Sequence, residues 1–147
     1  MSYSSVESAL LTVLQLHADY STANSSAGDY RVLAASSARS VILSPGPFAR
    51  EVVAAPRRVR NAWVINLDLF VPFRIDLSTV AAAIRTDRQT ILDHLDKYPT
   101  LNSATGVLNA FCTGAGEPEE WVGEDGGFWS QRLVVQVEER VIVTIAE

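Results

Sequence analysis

From Val59 to Phe73 the chain alternates. Val59, Trp63, Ile65, Leu67, Leu69, Val71 and Phe73 take odd positions, and Arg58, Arg60, Asn66 and Asp68 take even ones. A period of two sends successive side chains to opposite faces, so the stretch predicts a half-buried strand. The pattern returns near the end of the sequence, where Leu133, Val135, Val137, Val141 and Val143 stand opposite Arg132, Gln136, Glu138 and Arg140. Strands with one apolar and one charged face need cover on one side only. That requirement points to a sheet with helices laid on one face.

Two segments have the period to supply that cover. Ser4 and Glu7 have capping-box spacing, and Val6, Leu10, Val13, Leu14 and Tyr20 recur at helical intervals, which predicts a helix over about 5–20. Asp76 to Ser78 offers a second cap. Val80, Ile84, Ile91, Leu95 and Tyr98 mark one face of a helix running to about residue 97, where Pro99 forces a stop. Val41 to Leu43 reads as a short strand ended by Ser44-Pro45-Gly46-Pro47, because prolines remove ladder donors. Phe48 to Pro56 then reads as an exposed extended connection, and Val107 to Phe111 as another short strand. The stretch 23–40 is rich in Ser and Ala and gives no clear element.

The expected fold is therefore α+β in the order α-β-β-α-β-β. It is a mostly antiparallel four-stranded sheet with two helices packed on one face, in a single domain over 1–147. An exposed extended connection falls around 44–58 and an acidic, glycine-rich loop around 114–127. At 147 residues such a chain can bury a core without disulfide or metal. Its 48% hydrophobic content is high for a small monomer and hints at oligomerisation. The apolar stretch Ala62 to Phe73 is broken by Asn66 and Asp68 and is too short to span a bilayer, and the first residues lack a signal-peptide pattern, so no membrane role is expected.

The residues that carry chemistry are sparse. His17 and His94 are the only histidines, and each sits near an apolar helix face, where a packed, hydrogen-bonded ring is the ordinary outcome. Cys112 follows Phe111 in an apolar strand with no basic neighbour to activate it. No metal-ligand spacing, P-loop or GxSxG elbow occurs, and Gly114-Ala-Gly116 runs into Glu117-Pro118 rather than a helix. No enzyme centre, cofactor or metal is expected.

Two charged groups remain. Arg50, Arg57, Arg58 and Arg60, with Glu51 among them, form the one basic cluster, and Glu117, Glu119, Glu120, Glu124 and Asp125 form an acidic one. The formal net charge of −5 disfavours nucleic-acid readout by the arginines. Arginine is enriched at interfaces, so contact between the basic segment of one copy and the acidic loop of the next would account for both groups. The acidic residues would alternatively line a channel and keep passing DNA from sticking.

Several stretches resemble the tail terminator, or tail completion, proteins of long-tailed bacteriophages. They are Trp63 to Phe70, Arg88 to Asn102 running into Gly106-Val107, Gly116 to Pro118, and the terminal strand Gln131 to Val137. The segment Tyr98-Pro99-Thr100-Leu101-Asn102 is the most specific, and the similarity covers about 40–143. The resemblance implies a structural protein of the virion neck, assembled in the host cytoplasm. It forms a homohexameric ring at the head-proximal end of the tail tube, stops tube polymerisation and joins the head. Its partners would be itself, the tail tube protein and a head completion or connector protein, with DNA only passing through. A head completion adaptor and a small dimeric ligand-binding domain with a pocket near Trp63, Trp121 or Trp129 are the alternatives.

Overall fold

The computed structural model describes residues 2–28, 39–54, 58–72, 77–123 and 126–142. Helix α1 spans Tyr3–Leu14, and strands β1, β2 and β3 span Ser25–Ala27, Ser40–Ala54 and Arg58–Pro72. Helix α2 spans Leu77–Asp96, followed by β4 at Val107–Ala115, β5 at Glu119–Gly123 and β6 at Gly126–Ile142. The strands form one six-stranded sheet in the order β1-β2-β3-β6-β4, with β5 pairing on β6.

This corrects the expected four-stranded sheet. The sheet is mixed, because β1 pairs parallel to β2 through Ser25↔Val41, Ser26↔Ile42 and Ala27↔Leu43. A three-residue strand of Ser and Ala carries no alternation and no β-branched side chain, so nothing local announces it.

The connection expected around 44–58 is instead strand as far as Ala54, and 55–57 lie outside the described residues. β2 continues through the prolines and pairs with β3 from Ser40↔Phe70 to Ala54↔Arg58, with a register shift between Pro45 and Phe48. Among the described strands only β1 pairs on the outer side of β2, and it reaches only Val41 to Leu43, so beyond Ser44 no described ladder asks a donor of the prolines. Gly46 permits the shift. A Cβ there would stand 2.7 Å from Val64 Cγ1 and 2.9 Å from the Val64 carbonyl oxygen.

The acidic loop is likewise largely strand: β4 reaches Ala115, and β5 pairs with β6 from Glu119↔Ser130 to Gly123↔Gly126. Helix α1 is shorter than its pattern. Its N-cap is Ser2, whose hydroxyl accepts from Ser5 N–H, and the Tyr3 hydroxyl donates to Glu7. After Leu14 the chain turns. His17 Nδ1 accepts the Asp19 N–H at 3.0 Å, Leu16 is exposed, and Tyr20 folds into the core.

Both helices cover one face. Val6, Leu10, Val13 and Leu14 of α1 and Ile91 and Leu95 of α2 join Val41, Leu43, Ile65, Leu67, Leu69, Leu133, Val135 and Val137 in one buried cluster. The odd positions of β3 and β6 therefore form the covered face, as the alternation predicts. Between α2 and β4 the chain takes a left-handed turn, with positive φ at Leu101 (51°), Asn102 (58°) and Ser103 (63°). Such backbone costs roughly 1 kcal/mol or more per non-glycine residue. The buried side chain of Leu101, within the main cluster, and the bond from Ala110 N–H to the Pro99 carbonyl hold it in place.

Candidate functional site

The alternation divides the basic cluster between the two faces of the sheet. Arg50 pairs with Asn61 on the helix-covered face, and its Nε donates to Asn61 Oδ1 at 3.0 Å. Asn61 Nδ2 in turn donates to Glu139 Oε1 at 3.0 Å, and Trp63 Nε1 donates to the same oxygen at 2.7 Å. Glu139 is 1% exposed. Burial alone would raise its carboxyl pKa, but opposing interactions, led by these two hydrogen bonds, hold it below the usual glutamate value. Phe48 packs on Trp63 with ring centroids 4.4 Å apart, and Tyr3 lies on it at 6.2 Å. Arg50 is thus engaged in a polar node at the margin of the core.

Arg58 and Arg60 fall on the face opposite α1 and α2. Arg60 sits directly across from Arg140 of β6 on one side and Glu51 of β2 on the other. Like charges directly opposite each other are destabilising. Among the described residues, Arg58, Arg60 and Arg140 have no salt-bridge partner, and Arg60 Nε is buried without an acceptor. Arg140 escaped the sequence reading because it lies 80 residues from Arg60, and only the β3–β6 register brings the two together. Arg57 lies outside the described residues.

The acidic group sits at the diagonal corner of the same sheet. Glu119 pairs with Ser130 on the face opposite α1 and α2, whereas Glu120 pairs with Trp129 and takes the other face. Glu117 and Glu119 line a polar cleft of about 220 Å³ with Asp68, Ser130 and Arg132. Arg132 holds Asp68 in a two-pronged pair, Nε–Oδ1 at 2.8 Å and Nη2–Oδ2 at 3.1 Å. Glu124 and Asp125 lie outside the described residues. Arg140 is ten residues beyond Ser130 along β6, which at 3.3 Å per residue is about 33 Å. The described members of the basic and acidic groups therefore do not meet within one chain.

Among the described residues, neither histidine hydrogen-bonds a Ser, Thr or Cys side chain. His94 is buried, and its Nε2 hydrogen-bonds the Val13 carbonyl at 2.7 Å, which makes that nitrogen the protonated one. The His17 ring stands edge-on to it at 5.1 Å. Nearby, Arg39 bridges Asp19 at 2.8 Å and buried Asp87 at 3.1 Å. Burial raises the Asp87 carboxyl pKa, and Arg39 opposes the shift. Burial also raises the Cys112 thiol pKa, and the thiol donates to the Gly114 carbonyl. No group of three His, Cys, Asp or Glu side chains among the described residues is placed to hold a metal ion.

A second concavity lies between α2 and β6. It measures about 490 Å³, and its lining includes Ile84, Arg85, Arg88, Pro118, Trp129 and Gln131. Of the three tryptophans considered for a pocket, Trp129 forms a wall of this one, while Trp63 belongs to the Glu139 node. The arginines of α2 carried no signal in the sequence beyond their spacing of three, which places them on one helical face.

Comparison of the chain with known protein families and with curated protein sequences finds no match.

Proposed function

We propose that the chain is a structural assembly protein of the phage tail-terminator type. It forms a closed ring at the head-proximal end of the tail tube, ends tube polymerisation and offers the joining surface for the head. It works by shape and subunit contacts, without an enzyme centre, and DNA only passes through the ring.

One observation carries this reading. A cross-strand pair of arginines that forms no salt bridge among the described residues and a group of carboxylates occupy diagonal corners of one sheet, both reaching the face opposite α1 and α2. Patches that differ in place and sign cannot satisfy each other within the chain, but they complement each other between neighbours. Repeated heterologous contact of this kind closes into a ring when the rotation per copy divides the circle. The long β2–β3 hairpin adds reach, with Val52 65% and Ile142 70% exposed at its end of the sheet. The resemblance of Arg88 to Asn102 supplies the identity of the assembly.

Native mass spectrometry of the protein, alone and mixed with tail-tube subunits, tests the reading. A ring is expected in at least one sample. The paired variant Arg58→Glu/Arg140→Glu should abolish it, as should Glu117→Lys/Glu119→Lys, and combining all four should restore it. Failure of the combined variant to reassemble while each pair folds normally would refute the corner-to-corner contact, and absence of any ring with tube subunits would refute the assembly reading. If Glu117, Glu119, Glu120, Glu124 and Asp125 also face the channel, replacing all five with glutamine slows DNA passage; unchanged ejection from otherwise normal virions refutes that role.

The cleft beside Trp129 favours one second reading, a dimeric ligand-binding domain. A clean dimer in the same mass spectra would point to it.

A further inference from the structure

The concavity between α2 and β6 has three features that belong together. Its floor and walls are apolar, formed by Ile84, Pro118 and Trp129. Arg85 and Arg88 stand on its rim three residues apart, about 4.5 Å of helix rise. Neither forms an ion pair or side-chain hydrogen bond among the described residues. The third feature is Gln131, 3% exposed, whose Nε2 donates to the Gly116 carbonyl at 2.8 Å. That bond fixes the amide and leaves Oε1 buried with no donor.

A buried acceptor without a donor costs about 1–3 kcal/mol, so the site is completed by a group that brings an N–H or O–H. The rim asks for negative charge, and the floor asks for an apolar side chain. A simple carboxylate meets the rim and the floor but leaves Gln131 unanswered. A peptide meets all three, because each residue brings a backbone N–H at fixed spacing from its side chain.

We propose that this cleft docks an extended acidic segment of a partner protein. One apolar side chain sits between Ile84 and Trp129, an adjoining carboxylate meets Arg85 and Arg88, and a backbone N–H donates to Gln131 Oε1. The cleft volume of about 490 Å³ suits a few residues rather than a whole helix. The site goes beyond the ring reading and does not depend on it, since no charged residue of either corner is part of its lining.

The test is isothermal titration of the full-length protein at low salt. The probes are acetyl-Ala-Leu-Glu-Glu-Ala-amide, its Lys-Lys counterpart, its Ser-Glu-Glu counterpart and octanoate. The acidic, leucine-bearing peptide is expected to bind saturably with a dissociation constant below about 1 mM. The other two peptides should bind at least tenfold more weakly, as should the first peptide to Arg85→Gln/Arg88→Gln. Arg85→Lys/Arg88→Lys keeps the charge and should recover part of the affinity. Both arginines lie on the rim, so these variants are expected to fold, which circular dichroism checks; the peptide comparison on the unaltered protein decides the question on its own. Equal binding of acidic and basic peptides, no peptide binding at millimolar concentration, or octanoate binding as tightly as the peptide would overturn the proposal, the last in favour of a small carboxylate ligand.

Discussion

Strand β3 passes through two environments. From Ile65 to Leu69 its odd side chains lie in the cluster covered by α1 and α2, and all three are fully buried. From Arg58 to Asn61 the same strand, with the same alternation, lies outside that cluster, and its neighbourhood includes exposed Val52 and Ile142. The first half holds the fold together. The second is sheet that extends past its cover and keeps arginines on one face and a buried polar node on the other. A local pattern fixed both halves as strand; what covers each half decides whether it stabilises the chain or stays open to contacts.

The sharpest way to break this comparison is to cut the covered half. Leu67→Ala should cost about 2–5 kcal/mol in denaturant unfolding, whereas Val52→Ser should change stability by less than about 0.5 kcal/mol. Similar losses at the two positions would mean that the arm belongs to the folding core.

Glu139 marks the boundary. Glu139→Ala strands the Asn61 and Trp63 donors and should cost about 3 kcal/mol, while Glu139→Gln, which keeps an acceptor, should cost less. The folded protein holds this carboxyl below its ordinary pKa, so folding favours the ionised form. Its contribution is present above the ordinary glutamate range and is lost as pH falls through and below it. Acid titration of unfolding should accordingly be flatter on the acid side in Glu139→Gln.

Gly46→Ala forces a Cβ against Val64 and should destabilise by about 1–3 kcal/mol, measured by thermal unfolding. Val64→Ala should recover part of this loss, since the clash with the Val64 carbonyl oxygen remains. The smallest effect has the opposite sign. Ser103→Gly relieves a positive φ of 63° at an exposed position and should raise stability by about 0.5–1 kcal/mol.

Several elements were legible without the structure. β3 was expected from Val59 and runs from Arg58, and α2 was expected to end near residue 97 and ends at Asp96. Both rest on long periodic stretches with strong stop signals. Strand β1 was not legible, because only its pairing with residues sixteen positions further on accounts for its extended backbone. The prolines of β2 look like a stop in the sequence, because nothing local says that no described strand pairs on its outer side beyond Leu43. In the candidate site, Arg58, Arg60, Glu117 and Glu119 were visible as charged runs. The alternation already puts Arg58 and Arg60 on the polar side of β3, whereas the faces taken by the acidic residues and the Arg60–Arg140 pairing have no local trace.

The sequence by itself determined which side chains of β3, β6 and the helices face the main buried cluster, since period two and period 3.6 are properties of neighbouring residues and need no partner. It also determined that opposite charges gather in two separate segments. Only the tertiary structure decided the number of strands, the parallel pair, and the meeting of Asn61, Trp63 and Glu139. It alone placed Arg85, Arg88, Trp129 and Gln131 around one cleft. These depend on strand register, which couples residues tens of positions apart and is fixed only when the apolar faces pack.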